Sequence, residues 1–165
     1  MKRITTQNWL EPDSPGAQAG THPSVWRDAF LSIHLDRGVP VEVATLFETA
    51  RASALYGLFF APLVGLGVEQ CYRALETGIR VRCAQAGLPV SLQDRQGRRH
   101  ALSFSHNLRQ LQDRALIPPA DVALWQQVGE LKNWLAALRH TDAMAREHAV
   151  TALSRAAGLL NGLFA

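Results

Sequence analysis

The sequence predicts an all-α fold, an antiparallel bundle of four to five helices behind an irregular N-terminal arm. Three observations lead there. From Val41 onward, apolar residues recur at three- and four-residue steps with little interruption, the period of an amphipathic helix. No segment shows convincing alternation of apolar and polar residues, the mark of a half-buried strand. The connections between the last three helical segments are short, which makes successive helices antiparallel neighbours. Composition allows this: 165 residues, 47% hydrophobic and 19% charged, suit one domain with a short appendage. They exclude a disordered, collagen-like or disulfide-stapled chain.

Residues 1–40 read as the arm, because Glu11-Pro12-Asp13-Ser14-Pro15-Gly16 and Gly20-Thr21-His22-Pro23 are turn chemistry. One short helix interrupts it, capped by Ser24, with Val25, Trp26, Phe30 and Ile33 at near-helical spacing and an end at Gly38 and Pro40. Trp9 and Trp26 are expected to pack the arm onto the core.

Residues 41–165 are expected to form the bundle. Its first helix sets Val43, Phe47, Ala50, Ala54 and Leu58 on one stripe and must bend or stop before Pro62, which opens the next helix. There Val64, Val68, Cys71, Leu75, Ile79 and Cys83 form the stripe. Glu69/Arg73 and Glu76/Arg80 stand four apart in the favourable acid-first order, and Gly87 provides a stop. Residues 89–102 read as a loop whose exposed tip is Asp94-Arg95-Gln96-Gly97-Arg98-Arg99. A third helix covers about Ser105 to Ala115. A fourth begins near Pro119, with Asp121 in its first turn and Leu124, Trp125, Val128, Leu131, Leu135 and Leu138 on its apolar face. Thr141 caps the last, where Ala149, Leu153, Ala156, Leu160 and Leu163 or Phe164 repeat.

Several function classes are set aside by what the chain lacks. The opening Met1-Lys2-Arg3-Ile4-Thr5-Thr6 leads into polar sequence rather than an apolar run, so no secretory signal is expected. The longest uncharged stretch, Ala52 to Val68, is broken by Gly57, Pro62, Gly65 and Gly67 and falls short of the ~20 apolar residues of a membrane span. The two cysteines, Cys71 and Cys83, sit in apolar helical sequence rather than a C-x-x-C pattern. That excludes a zinc ribbon and suits a reducing compartment. A soluble, cytoplasmic protein with no membrane partner is the expectation. There is no glycine-rich phosphate loop, H-E-x-x-H, G-x-S-x-G or calcium loop. No two of the six histidines stand one helical turn apart as a ligand pair, so neither a metal nor a cofactor is expected.

Charge and one helical segment carry the functional hints. The net charge of +3 lies wholly in residues 93–165, where nine Lys/Arg face six Asp/Glu, against eight and eight in residues 1–92. Fifteen of the seventeen basic residues are arginine, whose planar fork suits phosphate and carboxylate, although surface charge also serves solubility. On a helix, Lys132 and Arg139 lie together at the edge of the apolar face, and Asn133 and His140 form a second aligned pair. Such rails would neutralise phosphodiester oxygens through Lys132 and Arg139 and move a proton through His140. The alternative is that the two cations snorkel along the core edge while Asn133 and His140 meet solvent or cap the helix end.

Four segments within roughly residues 41–164 carry a resemblance: the long helix Leu63 to Cys83 with Glu69-Gln70-Cys71-Tyr72-Arg73; Ser105-His106-Asn107-Leu108-Arg109-Gln110-Leu111, which looks like an S-H-x-L-x-x-L helix; Leu131-Lys132-Asn133, which looks like L-R-N; and the closing Leu159-Leu160-Asn161-Gly162-Leu163-Phe164. In this the chain resembles the HEPN superfamily, helical domains found in many bacterial toxin and phage-defence ribonucleases. In active members the L-R-N arginine precedes a histidine by four to six intervening residues, and two subunits combine these residues in metal-independent RNA cleavage. Here Lys132 stands at the arginine position and seven residues separate it from His140. Lysine keeps the charge but loses the bidentate fork, and one extra residue turns His140 by about 100° around the helix. Arg95/His100 and Arg99/His106 satisfy the spacing, but away from the motif's place.

The resemblance with its altered motif implies a non-catalytic module of bacterial defence or toxin–antitoxin type. It would bind RNA or a partner protein as a homodimer, with Lys132, Asn133, Arg139 and His140 lining the groove and Arg95, Arg98 and Arg99 adding RNA contacts. One alternative is a metal-independent endoribonuclease using Lys132, Asn133 and His140. Another is a purely structural helical interaction protein.

Overall fold

The computed structural model describes the backbone of residues 3–11, 22–137 and 146–165, and the side chains of these except 130–137 and 146. In chain order these residues form α1 (Pro23–Leu31), α2 (Val41–Tyr56), α3 (Pro62–Gln85), β1 (Ser91–Gln93), β2 (Arg99–Ala101), α4 (Phe104–Asp113), a 3₁₀ turn (Pro119–Asp121), α5 (Val122–Ala137) and α6 (Arg146–Leu163). The architecture is mainly helical, as the periodicity predicts. Among the described residues no helix is long and apolar enough to cross a membrane.

α3 is the central element and touches α2, α4, α5 and α6. Its predicted stripe, Val64, Val68, Cys71, Leu75, Ile79 and Cys83, is buried throughout. The same holds for Val43, Phe47, Ala50, Ala54 and Leu58 in and just after α2, and for Ala149, Leu153, Ala156, Leu160 and Leu163 of α6. Close approach needs small residues at the crossings. A Cβ on Gly67 would lie 2.7 Å from Ala50 O and 2.8 Å from Ala54 N, and one on Gly78 would lie 2.7 Å from Leu160 Cδ2. Gly57 meets Val64 across the same α2–α3 seam, so those two helices run in opposite senses. Asn161 Oδ1 accepts from Asp36 N at 2.9 Å, which ties the end of α6 to the segment leading into α2. α6 therefore runs in the same sense as α3.

Local chemistry sets the ends. α3 stops at Gly87, where φ is +69°, while Leu88 N donates to Cys83 O at 2.9 Å and Gly87 N to Ala84 O at 3.0 Å. This is the paired closure of a helix by a left-handed residue. α4 starts at Ser103, whose Oγ accepts from His106 N at 3.2 Å. The cap of α1 differs from expectation: His22 occupies it, its Nδ1 accepting from Ser24 N at 3.3 Å, and Ser24 lies inside the helix. Pro23 follows as the first helical residue, where a missing N–H costs nothing.

Three further expectations change. Residues 91–101 contain an antiparallel hairpin, with Ser91 opposite Ala101 and Gln93 opposite Arg99, where turn chemistry predicts a loop. Of the two arm tryptophans only Trp26 packs: it is fully buried and its Nε1 donates to Leu55 O at 2.8 Å, while Trp9 is 59% exposed. Leu124, assigned to the apolar face of the fourth helix, is partly exposed, because the next residue, Trp125, takes the fully buried place. Phe30, Ile33 and Val39 join the same core as the later helices. The expected cap Thr141 lies outside the described residues.

Candidate functional site

The arginine-rich tip is an ordered turn built around Asp94. Its Oδ1 accepts from Gln96 N at 2.8 Å and from Arg98 N at 2.9 Å, and Gly97 N donates to Asp94 O at 3.0 Å. Gly97, at φ +80°, takes the left-handed place that ends a three-residue hairpin loop. Asp94 Oδ2 then meets His100 Nε2 at 3.0 Å and accepts from Arg98 Nε at 3.1 Å. These contacts, His100 first and the Arg98 backbone N–H next, hold the Asp94 carboxyl below the usual carboxylate range. Arg98 Nη2 also donates to Gln96 Oε1.

The hairpin is fixed to α4 by two side chains. Asn107, the one buried polar side chain among the described residues, donates from Nδ2 to Leu102 O at 3.3 Å, and Gln110 Nε2 donates to Pro89 O at 3.0 Å. Asn107 O receives Cys83 Sγ of α3 at 3.4 Å. The S-H-x-L-x-x-L segment thus buries Leu108 and Leu111 in the core, uses Asn107 to anchor the hairpin, and leaves Ser105 and His106 exposed.

The predicted site residues fall into two groups. Arg95, Arg98 and Arg99 come together on the hairpin, all exposed. Arg98 is engaged by Asp94, whereas Arg95 and Arg99 have no acidic partner among the described residues. Lys132 and Asn133 belong to α5; their side chains, and Arg139 and His140 entirely, lie outside the described residues.

A second feature has no counterpart in the sequence reading. α3, α5 and α6 leave a groove of about 410 Å³ between them. Val68 and Leu75 form its floor, Leu124 and Val128 one wall, Ala152, Ala156 and Leu159 the other. Gln127, His148, Thr151 and Arg155 stand at the lip. The small Ala152 and Ala156, one turn apart, open the space, and Arg155 has no acidic partner among the described residues. Leu124 four residues before Val128, and His148, Thr151 and Arg155 at helical spacing, could have signalled an edge shared by two helices. Periodicity alone does not say that the facing space is empty.

No family model, curated protein or solved structure matches the chain. Among the described residues no group of three or more His, Cys, Asp or Glu side chains could hold a metal ion. The thiols are poor nucleophiles: burial pushes Cys71 up to about 12 and Cys83 up to about 11.

Proposed function

We propose that this chain is a HEPN-like, non-catalytic helical module that binds RNA and works as a homodimer. The observation that carries the RNA-binding part is the hairpin. Three arginines project from a turn ordered by Asp94 and anchored to α4 by Asn107 and Gln110, and two of them lack an acidic partner among the described residues. A preformed cationic tip meets a phosphate backbone with little ordering cost, and the excess positive charge of residues 93–165 favours the same partner. Lys132 and Arg139 enter the proposal as further RNA contacts on the sequence argument alone.

The test is RNA binding by wild type and by Arg95→Ala/Arg99→Ala, measured over a range of salt concentrations. Wild-type affinity should fall linearly with salt on logarithmic axes. The double variant should bind more weakly with a shallower slope, by roughly 0.7 for each lost phosphate contact on a single strand. Equal slopes would remove the hairpin from the interface. Cleavage of RNA in EDTA, lost in His140→Ala, would replace this reading with the ribonuclease one.

A further inference from the structure

α3, α4 and α6 end, and α5 begins, around a second pocket, of about 400 Å³. Its walls are mostly apolar, with Leu116 and Ile117 from the α4–α5 connection, Val122 from α5 and Leu163 from α6. Two side chains break that pattern, Arg82 in the last turn of α3 and Gln112 near the end of α4. Arg82 Nε and Gln112 Nε2 are both shut off from solvent, and neither has a hydrogen-bond partner among the described residues. Arg82 has no acidic partner among them either; Asp121, at the start of α5, lies with its Oδ2 against Gly162. A buried N–H without an acceptor is costly, more so on a charged group, and an oxygen acceptor in the pocket would relieve both donors. An apolar pocket with a few converging polar groups is the ordinary form of a small-molecule site. Its lining is described throughout, and it lies at the far ends of α5 and α6 from residues 137 and 146, roughly 24 Å along α5. Residue 22 is placed by the Trp26–Leu55 bond at the end of the molecule where α3 begins, roughly 30 Å along α3 from Arg82.

We propose that this pocket binds a small organic monocarboxylate, its carboxylate on Arg82 and Gln112 and its hydrocarbon body against Leu116, Ile117 and Leu163. A carboxylate suits both donors, because its two oxygens accept from a guanidinium edge and from an amide N–H at once. Rotation about the terminal torsions of the two side chains turns both N–H groups into the pocket that these residues line. The free carbonyls at the ends of α3, α4 and α6 carry partial negative charge and weigh against an anion, so the guanidinium has to supply the countercharge. Inorganic phosphate, more highly charged and more strongly hydrated, is a poorer match for walls of Leu, Ile and Val. None of these residues belongs to the hairpin, so the site is independent of RNA binding.

Hexanoate titrated into the full chain, followed by NMR of side-chain N–H groups and methyls, tests the site. The Arg82 Nε–H, the Gln112 amide and the Leu163 methyls should shift together with a single dissociation constant. Hexanol, which has the body without the charge, and inorganic phosphate, which has charge without the body, should each bind about tenfold more weakly or worse. Arg82→Gln should weaken hexanoate by about tenfold and leave hexanol unchanged, with unchanged helical circular dichroism. Should that variant fail to fold, Gln112→Leu takes its place and should likewise weaken hexanoate while sparing hexanol. No shift at about 10 mM hexanoate, hexanol binding as tightly as hexanoate, or hexanoate binding undiminished by the variant would each overturn the proposal. So would an Arg82 Nε–H signal that ignores hexanoate and moves in Asp121→Asn, since Asp121 would then be its acceptor.

Discussion

Ala115 is the one non-glycine with positive φ among the described residues, at +53°. It ends α4 as Gly87 ends α3, with Leu116 N donating to Leu111 O and Ala115 N to Gln112 O, both at 2.9 Å. A Cβ in the left-handed region costs roughly 1–2 kcal/mol, part of which glycine would return through its greater freedom when unfolded. Ala115→Gly should therefore stabilise the protein by about 0.5–1 kcal/mol, seen as a higher urea midpoint at unchanged slope. The cysteines make a second expectation at this scale. Their folded values lie above the ordinary 9.0, so the neutral thiols contribute stability that is present below that value and declines as pH rises towards about 11 and 12. Below pH 9 both should resist alkylation in the native protein and react fully in denaturant, as counted by intact mass. Their burial was legible in the helical stripe. The strain at Ala115 was not, since nothing in a Leu-Gln-Asp-Arg-Ala-Leu run marks a left-handed residue.

At the scale of the element, the hairpin turns on Asp94. Its carboxyl is depressed because His100 and the Arg98 and Gln96 N–H groups favour the charged form. The order it provides is therefore complete above the ordinary carboxylate value and is lost as pH falls through the depressed folded one. Amide exchange at Gln96 and Arg98 should be slow near neutrality and accelerate in acid beyond the intrinsic pH dependence. In Asp94→Ala it should be fast throughout, with α3 amides unaffected. Protection at Gln96 and Arg98 that survives Asp94→Ala would show that the strands alone hold the turn. An Asp three residues before a Gly, between Leu92 and Ala101, carried the turn chemistry in plain view. The strands themselves were hidden, because three-residue segments are too short to show a period of two against their neighbours.

The whole molecule is held by close helix crossings around α3. Gly67 has the backbone of Ala50 and Ala54 where a Cβ would go, so Gly67→Ala must push α2 away in spite of alanine's better helix propensity. A loss of about 2 kcal/mol in urea denaturation is expected, whereas Gly65→Ala, with nothing within 4 Å of the added Cβ, should stabilise by up to about 1 kcal/mol. The existence of α2, α3 and α6, and the limits of α3, were determined by the sequence alone, through apolar steps of three and four, Pro62 at a helix start and Gly87 just past a helix end. These are local rules, satisfied within a few turns of chain. Which apolar side chains stay uncovered was decided only by the tertiary structure. Trp26 finds the Leu55 carbonyl and the core while Trp9 finds water, and Leu124 lines a groove that Ala152 and Ala156 of another helix leave open. Burial depends on what lies opposite, and the residues opposite are distant in sequence.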